Sequence, residues 1–185
     1  MVYPLPIMNN DALEVIKTRR VIRVMTDDPI ERVQLEQILE AVRWAPVGGN
    51  HRFLRFSAIQ DPIIINLLRM VSPGMIQRPQ AVITICANWD KLAELKVKGT
   101  DRAASIDVGT AMQTMLLAAH AVGLGSGPVT SFNKVAVGII LNLPDNVTPE
   151  LMVCIGHPAP GYQMPMAPKK KITWQSLVDW DRLAN

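Results

Sequence analysis

The segment from Arg102 to Val122 is apolar on almost every side when it is read with helical spacing. Its apolar residues are Ile106, Val108, Met112, Met115, Leu116, Leu117, Ala118, Ala119 and Val122. Gly123 follows, and glycine commonly ends a helix because it adopts the left-handed conformation at low cost. A helix that lacks a broad polar face must be covered on several sides. The segment therefore predicts a long buried central helix around which the rest of the chain packs.

The other predicted elements are shorter and include both helices and strands. Helical spacing predicts helices at 10–20, 31–45, 62–70 and 133–141, and apolar runs predict strands at 53–59, 81–87 and 150–155. The glycines at 123–128 are interpreted as a turn, and the prolines beyond 156 predict an extended arm over about 157–185 that ends in a short helix. Helices and strands alternate without a regular strand-helix-strand period, which favours an α+β fold. The length of 185 residues predicts a single domain over 1–185.

The composition argues against several classes of protein. Net charge is only +3 and acidic residues are spread among the basic ones, so no nucleic-acid partner is required. No signal peptide and no apolar stretch long enough for a bilayer are found, so we expect a cytoplasmic protein with no membrane partner. Cys86 and Cys154 stand inside apolar runs and are interpreted as structural. The three histidines lack metal-ligand spacing, so no metal is expected.

The familiar catalytic motifs are missing as well. The segment Gly123–Pro128 matches neither Gly-x-Ser-x-Gly nor Gly-x-Gly-x-x-Gly, and no Gly-x-x-x-x-Gly-Lys loop occurs. No catalytic residue of the chain itself is therefore predicted. If the chain is an enzyme, a bound cofactor supplies the chemistry.

Basic residues cluster near both ends of the chain, at Arg19–Arg23 and at Lys169–Lys171. Taken alone, such clusters are most often solvated surface charges. Guanidinium groups also bind phosphate through paired hydrogen bonds, and Arg19 and Arg23 would share a face if helical structure continued through them. Asn50 follows two glycines, so it could serve a turn or a ligand.

Separated motifs occur here in the order known from one enzyme family. They are Arg19-Arg20-Val21-Ile22-Arg23, Ala45-Pro46-Val47-Gly48-Gly49-Asn50, Asp107-Val108-Gly109-Thr110-Ala111-Met112-Gln113 with Leu116-Leu117-Ala118-Ala119 and Gly123-Leu124-Gly125, and the basic residues after Pro168. On these motifs the chain resembles the nitroreductase family of flavin-dependent oxidoreductases. The resemblance extends over nearly its whole length.

The resemblance implies an α+β layered fold, with a mostly antiparallel central sheet flanked by helices. It implies FMN as cofactor, NADH or NADPH as electron donor, a nitroaromatic or quinone as small acceptor, and a homodimer whose interface holds the flavin. The residues implied near the phosphate are Arg19, Arg20, Val21, Arg23, Lys169 and Lys171. Those implied near the flavin ring are Asn50, Arg52, Pro128, Val129, Thr130 and Ser131. Trp174 and Trp180 are expected to anchor the arm onto the partner subunit.

The chain departs from the family pattern at three positions. Val21 replaces a serine, so only its backbone can contribute to a phosphate site, and Val47 replaces another serine. Arg52 replaces a glutamine, and it either takes over the missing ring contact or selects an anionic substrate or cofactor. Alternative functions are a related flavoenzyme reaction (flavin fragmentation, dehalogenation or dehydrogenation) and a basic nucleic-acid-binding module.

Overall fold

A four-stranded antiparallel sheet forms the centre of the fold in the computed structural model, which describes residues 11–94, 100–161 and 173–181. The strands are β1 (Leu54–Ile59), β2 (Ala81–Asn88), β3 (Gly125–Val129) and β4 (Val147–Gly156). Their order across the sheet is β1-β2-β4-β3, so β1 and β3 form the two edges. The α+β class and the antiparallel sheet expected from the sequence are confirmed.

Six α-helices surround the sheet within the described ranges. They are α1 (Asp11–Thr18), α2 (Arg32–Arg43), α3 (Pro62–Met70), α4 (Trp89–Ala93), α5 (Thr100–Ala121) and α6 (Lys134–Ile140), and 3₁₀ turns lie at Gly48–Asn50 and Trp174–Leu177. Side chains define where helices start: Glu31 and Gln34 form a capping box for α2. The Asp61 carboxylate accepts the first free N–H groups of α3, and the Asn133 side chain does the same for α6.

The two faces of the sheet carry different helices because alternate strand residues point to opposite sides. On one face, Ile83 and Val153 pack with α2 and α5, to which Ile38 and Met115 belong. On the other face, Met152 and Cys154 lie in a second cluster with residues of α3 and α6. The core is therefore divided into two layers by the sheet.

The long helix α5 occupies the centre of the first layer, as its sequence predicts. Ala111, Met115 and Ala119 are almost completely buried, and the small side chains permit close contact with α2. Its first turn begins at Thr100 rather than at Arg102. Ile106 remains 57% exposed, so the helix is not covered on every side of the single chain.

The predicted glycine-rich turn is confirmed at Gly123 but is wrong from Gly125 onward, because Gly125 begins the edge strand β3. A Cβ at Gly125 would lie 2.9 Å from the Ile22 side chain, and one at Gly127 would lie 3.0 Å from the Ile22 carbonyl oxygen. The glycines therefore let a neighbouring segment cross this edge closely. Glycine has low strand propensity, so the pairing with β4 and the close packing against Ile22 and Gln77 explain the strand. The short helix α4 was also not predicted.

Parts of the predicted arm lie outside the described residues, including Lys169 and Lys171. Two parts of the arm are described. Residues 157–161 pair through backbone hydrogen bonds with the segment 24–26, whereas residues 173–181 contain the short 3₁₀ turn and are exposed throughout. None of the helices within the described ranges is long and apolar enough to cross a membrane.

Candidate functional site

The basic segment Arg19–Arg23 lies along the edge strand β3. Helix α1 ends at Thr18, so helical spacing does not place Arg19 and Arg23 on one face as the sequence suggested. Val21 instead forms a parallel β-bridge with Ser126, and the Ile22 N–H donates to the Ser126 carbonyl oxygen at 2.9 Å. Backbone pairing with the sheet thus holds the segment in place, and the backbone of Val21 takes part in that pairing.

Arg19 and Arg23 differ from Arg20 in their partners. The Nη1 atom of Arg19 is buried and has no hydrogen-bond partner among the described residues. Arg23 is half-buried, and no ion pair or hydrogen bond of its guanidinium group occurs in the described part of the chain. Arg20 is exposed and donates to the carbonyl oxygens of Lys17 and Arg19 at 2.6 and 2.9 Å, so it caps α1. A buried guanidinium nitrogen requires an acceptor, and no described residue supplies one to Nη1 of Arg19.

Burial and nearby charges set the pKa values of the two cysteine thiols in the sheet. Burial raises the pKa of the Cys154 thiol to about 12, and the positive charges of Arg23 and Arg69 act in the opposite direction. The hydrogen bond from the Ile22 N–H to the Ser126 carbonyl oxygen is what places the neighbouring Arg23 beside the β3 edge. Burial also raises the pKa of Cys86 to about 12. Both thiols stay protonated at neutral pH, so neither is an activated nucleophile.

The loop that contains Asn50 is fixed by the central helix. The Gly48 N–H donates to both carboxylate oxygens of Asp107 at 3.1 Å. The Thr110 hydroxyl shares its proton between the carbonyl oxygens of Pro46 at 3.0 Å and of Asp107 at 2.9 Å. Gly49 and Asn50 then adopt left-handed backbone conformations, with φ of 57° and 58°. Glycine and asparagine tolerate this conformation better than other residues. The local sequence permits the turn, and α5 holds it in place.

The sequence analysis did not recognise this role of Asp107 and Thr110. Asp107 is only 3% exposed. A buried carboxylate in an otherwise apolar helix was the available signal, because such a group must find a donor.

Arg52 connects the Asn50 loop to the end of α2. Its guanidinium group is exposed, donates to the Arg43 carbonyl oxygen at 3.1 Å and lies 3.5 Å from the Asn50 side-chain oxygen. The side chain therefore stays beside Asn50, where it can contact either a ring or a substrate.

The residues Pro128–Ser131 end the strand β3 and begin the loop that follows. Val129 is buried in the second core cluster, Pro128 is half-buried, and Thr130 and Ser131 are exposed. The Gly74 N–H donates to the Ser131 carbonyl oxygen at 3.0 Å, which ties this loop to the segment after α3. The backbone beside the exposed residues is thus held by the sheet and by a neighbouring loop.

The predicted site residues form two groups on opposite edges of one sheet. Arg19, Arg23 and Pro128–Ser131 lie at the β3 edge, whereas Asn50 and Arg52 precede the β1 edge. Three interstrand spacings separate the edges, or about 14 Å. Lys169 and Lys171 are outside the described residues. Within the described ranges, no cluster of three His, Cys, Asp or Glu side chains could hold a metal ion.

A buried amide beside the β3 edge was not anticipated from the sequence. Gln77 is fully buried, and neither its side-chain oxygen nor its nitrogen has a hydrogen-bond partner among the described residues. A Cβ at Gly127 would overlap its nitrogen, so Gln77 packs directly on β3.

Comparison with known proteins gives one consistent result. The model described as the nitroreductase family matches residues 16–99 and 71–157. An FMN reductase [NAD(P)H] of Bacillus subtilis is 28% identical, with 95% of this chain and 78% of the relative covered. A putative NADH dehydrogenase/NAD(P)H nitroreductase of Methanothermobacter thermautotrophicus is 29% identical, with 80% and 78% covered.

Solved structures agree with these relatives. A nitroreductase family protein of Clostridium difficile has a TM-score of 0.77 and 28% identity, with 92% of this chain and 98% of the other covered. A hypothetical oxidoreductase of Bacillus subtilis has a TM-score of 0.81 and 25% identity, with 96% and 76% covered.

Proposed function

This chain belongs to the nitroreductase family, and we propose that it is an FMN-dependent NAD(P)H oxidoreductase whose acceptor is a small nitroaromatic or quinone. Relatives named FMN reductase and NAD(P)H nitroreductase support the cofactor and the electron donor. The same names favour this activity over flavin fragmentation, dehalogenation, ring dehydrogenation and nucleic-acid binding.

The observation that carries the proposal is that two guanidinium groups at the β3 edge lack partners among the described residues. The buried Nη1 atom of Arg19 has no acceptor, and Arg23 has no carboxylate partner in the described part of the chain. A phosphate supplies several charged acceptor oxygens, which is what such a site requires. The residues therefore fit the FMN phosphate, with Lys169 and Lys171 proposed as further cations.

When bound, FMN supplies two-electron transfer between the nicotinamide and the acceptor. The chain then has to bind FMN, orient its ring and shield the ring from water. Arg19 and Arg23 would bind the phosphate, the Asn50 amide would orient the pyrimidine edge of the ring, and the backbone of Pro128–Ser131 would supply contacts to its reactive part. The neutral thiols at Cys86 and Cys154 are consistent with a reaction that needs no protein nucleophile.

We also propose a homodimer with FMN at its interface. The two groups of site residues lie on opposite edges of the sheet, so one protomer would supply the arginines and its partner the Asn50 loop. Trp174 and Trp180 are 58% and 76% exposed and contact each other edge to face, with ring centroids 6.4 Å apart. Exposed tryptophans of this kind suit an interface. Two free buried cysteines fit the proposed cytoplasmic location.

Titration of the FMN-free protein with FMN tests the proposal. We expect a yellow complex that oxidises NADH or NADPH when a nitroaromatic or quinone is present. Arg19→Gln and Arg23→Gln should each weaken FMN binding about tenfold or more, because a charge-assisted contact to phosphate is lost. Arg32→Gln is the matched control, since Arg32 is an exposed arginine paired with Glu36 on α2. A wild-type protein that gains no flavin spectrum would refute the function, and unchanged affinity in both variants would remove the two arginines from the site.

A further inference from the structure

A groove between α2, β1 and α5 borders the Asn50 loop through Val47 and Arg52. Its volume is about 320 Å³, which is within the range of small-molecule sites. Much of its lining is apolar, with contributions from Leu39, Val42, Leu54, Phe56 and Ala111. We call it the arginine groove because Arg43, Arg52 and Arg55 complete its wall.

The three arginines differ in whether a carboxylate neutralises their charge. Arg43 forms an ion pair with Glu40 at 2.7 Å, so its charge is balanced. The Arg55 guanidinium donates to the carbonyl oxygens of Leu54 and Arg52 at 3.0 and 3.4 Å. Arg52 likewise contacts only uncharged oxygens, those of Arg43 and Asn50. Two positive charges without a carboxylate partner among the described residues therefore stand over an apolar surface.

An apolar groove whose wall carries two guanidinium groups without a carboxylate partner among the described residues is complementary to a planar ligand that carries a negative charge. We propose that the arginine groove binds the electron acceptor and selects an aromatic compound that bears a carboxylate. The ring covers the apolar lining, and the carboxylate accepts hydrogen bonds from Arg52 and Arg55. This inference rests on the proposed oxidoreductase function, and it assigns Arg52 to the acceptor rather than to the flavin ring.

A matched pair of acceptors tests the selection directly. Calorimetry on the FMN-loaded protein, without a nicotinamide donor, measures the binding of 4-nitrobenzoate and of the neutral 4-nitrobenzamide. We expect 4-nitrobenzoate to bind about tenfold more tightly at low ionic strength, and added salt should reduce that preference because the charges are exposed. Steady-state KM values with NAD(P)H should show the same ratio.

Substitution of Arg55 identifies the source of the preference. Arg55→Gln should bring the ratio of the two dissociation constants close to one, Arg55→Lys should retain part of it, and Arg32→Gln should leave it unchanged. Equal affinity of the wild-type protein for both compounds, or a preference that survives in Arg55→Gln, would overturn the proposal. Failure to bind FMN would instead refute the proposed function, whereas a flavoprotein that reduces 4-nitrobenzamide equally well refutes only the selection.

Discussion

The Nε2 atom of His120 lies 2.9 Å from the Thr18 hydroxyl oxygen. The Thr18 hydroxyl donates its only proton to the Glu14 carbonyl oxygen at 2.7 Å, so its oxygen must accept from His120. Nε2 of His120 therefore carries a proton. This bond joins the last turn of α5 to the last residue of α1, immediately before Arg19.

Loss of that bond should loosen the segment that carries Arg19. His120→Phe keeps a ring of similar size but removes the donor, and we expect FMN affinity to fall about threefold to tenfold, as for loss of one hydrogen bond. Hydrogen exchange should increase at the end of α1. Gln113→Ala changes an exposed residue of the same helix and serves as control. Unchanged FMN affinity in His120→Phe would show that this tether does not support the site.

Asp107 should be required for the conformation of the Asn50 loop. Asp107→Ala leaves the Gly48 N–H without its acceptor, and we expect a loss of about 1–3 kcal/mol in the free energy of unfolding together with weaker FMN binding. Asp107→Asn keeps an acceptor oxygen and should recover most of both quantities. Denaturant unfolding and FMN titration measure them. Equal behaviour of the two variants would contradict the hydrogen-bond explanation.

Two glycines should respond oppositely to substitution by alanine. A Cβ at Gly127 would overlap Gln77 and lie 3.0 Å from the Ile22 carbonyl oxygen, so Gly127→Ala should destabilise the fold by about 1–3 kcal/mol. Gly138 lies within α6, and a Cβ there meets nothing within 4 Å. Gly138→Ala should therefore stabilise the fold by about 0.5–1 kcal/mol. Thermal or denaturant unfolding compares the two, and a tolerated Gly127→Ala would argue against close crossing at the β3 edge.

The buried thiols should make the protein less stable at alkaline pH. In the folded protein the pKa of Cys154 is raised from 9.0 to about 12, so the unfolded state loses its proton first as the pH rises. The free energy of unfolding should therefore fall between pH 9 and 12, whereas neither thiol contributes a slope at neutral pH. Urea unfolding at several pH values measures the decline, which should be smaller in Cys154→Ala. An identical decline in that variant would exclude Cys154 as a cause.

The exposed tryptophans of the arm should contribute to the proposed dimer. Replacing both Trp174 and Trp180 by alanine removes two large apolar side chains, and we expect the dimer dissociation constant to rise about a hundredfold or more. Light scattering at micromolar concentration measures the oligomeric state. Trp44→Ala is the control, since Trp44 is also exposed, at 73%. A wild-type monomer would refute the dimer itself.

Much of the fold could be predicted from local patterns. The sequence of α5 is apolar on most sides, which is typical of a buried helix. The sequence of β2 is a run of apolar and β-branched residues, which is typical of a buried strand. The bounds of α3 agree with the prediction because Asp61 and Pro62 provide a strong start signal. The strand β3 could not be predicted, because its glycines are explained by Ile22, a residue that is distant in sequence.

The sequence by itself determined which chemical groups are present: clustered arginines, a Gly-Gly-Asn segment that permits a turn, and none of the familiar nucleophile motifs. It also determined the family through the order of its motifs. Only the tertiary structure decided that Val21 pairs with Ser126, that Asp107 holds Gly48, and that the two groups of site residues occupy opposite edges of the sheet. The physical reason is that propensity and periodicity act over a few residues, whereas the hydrogen bonds and close packing that position a site join residues far apart in the chain.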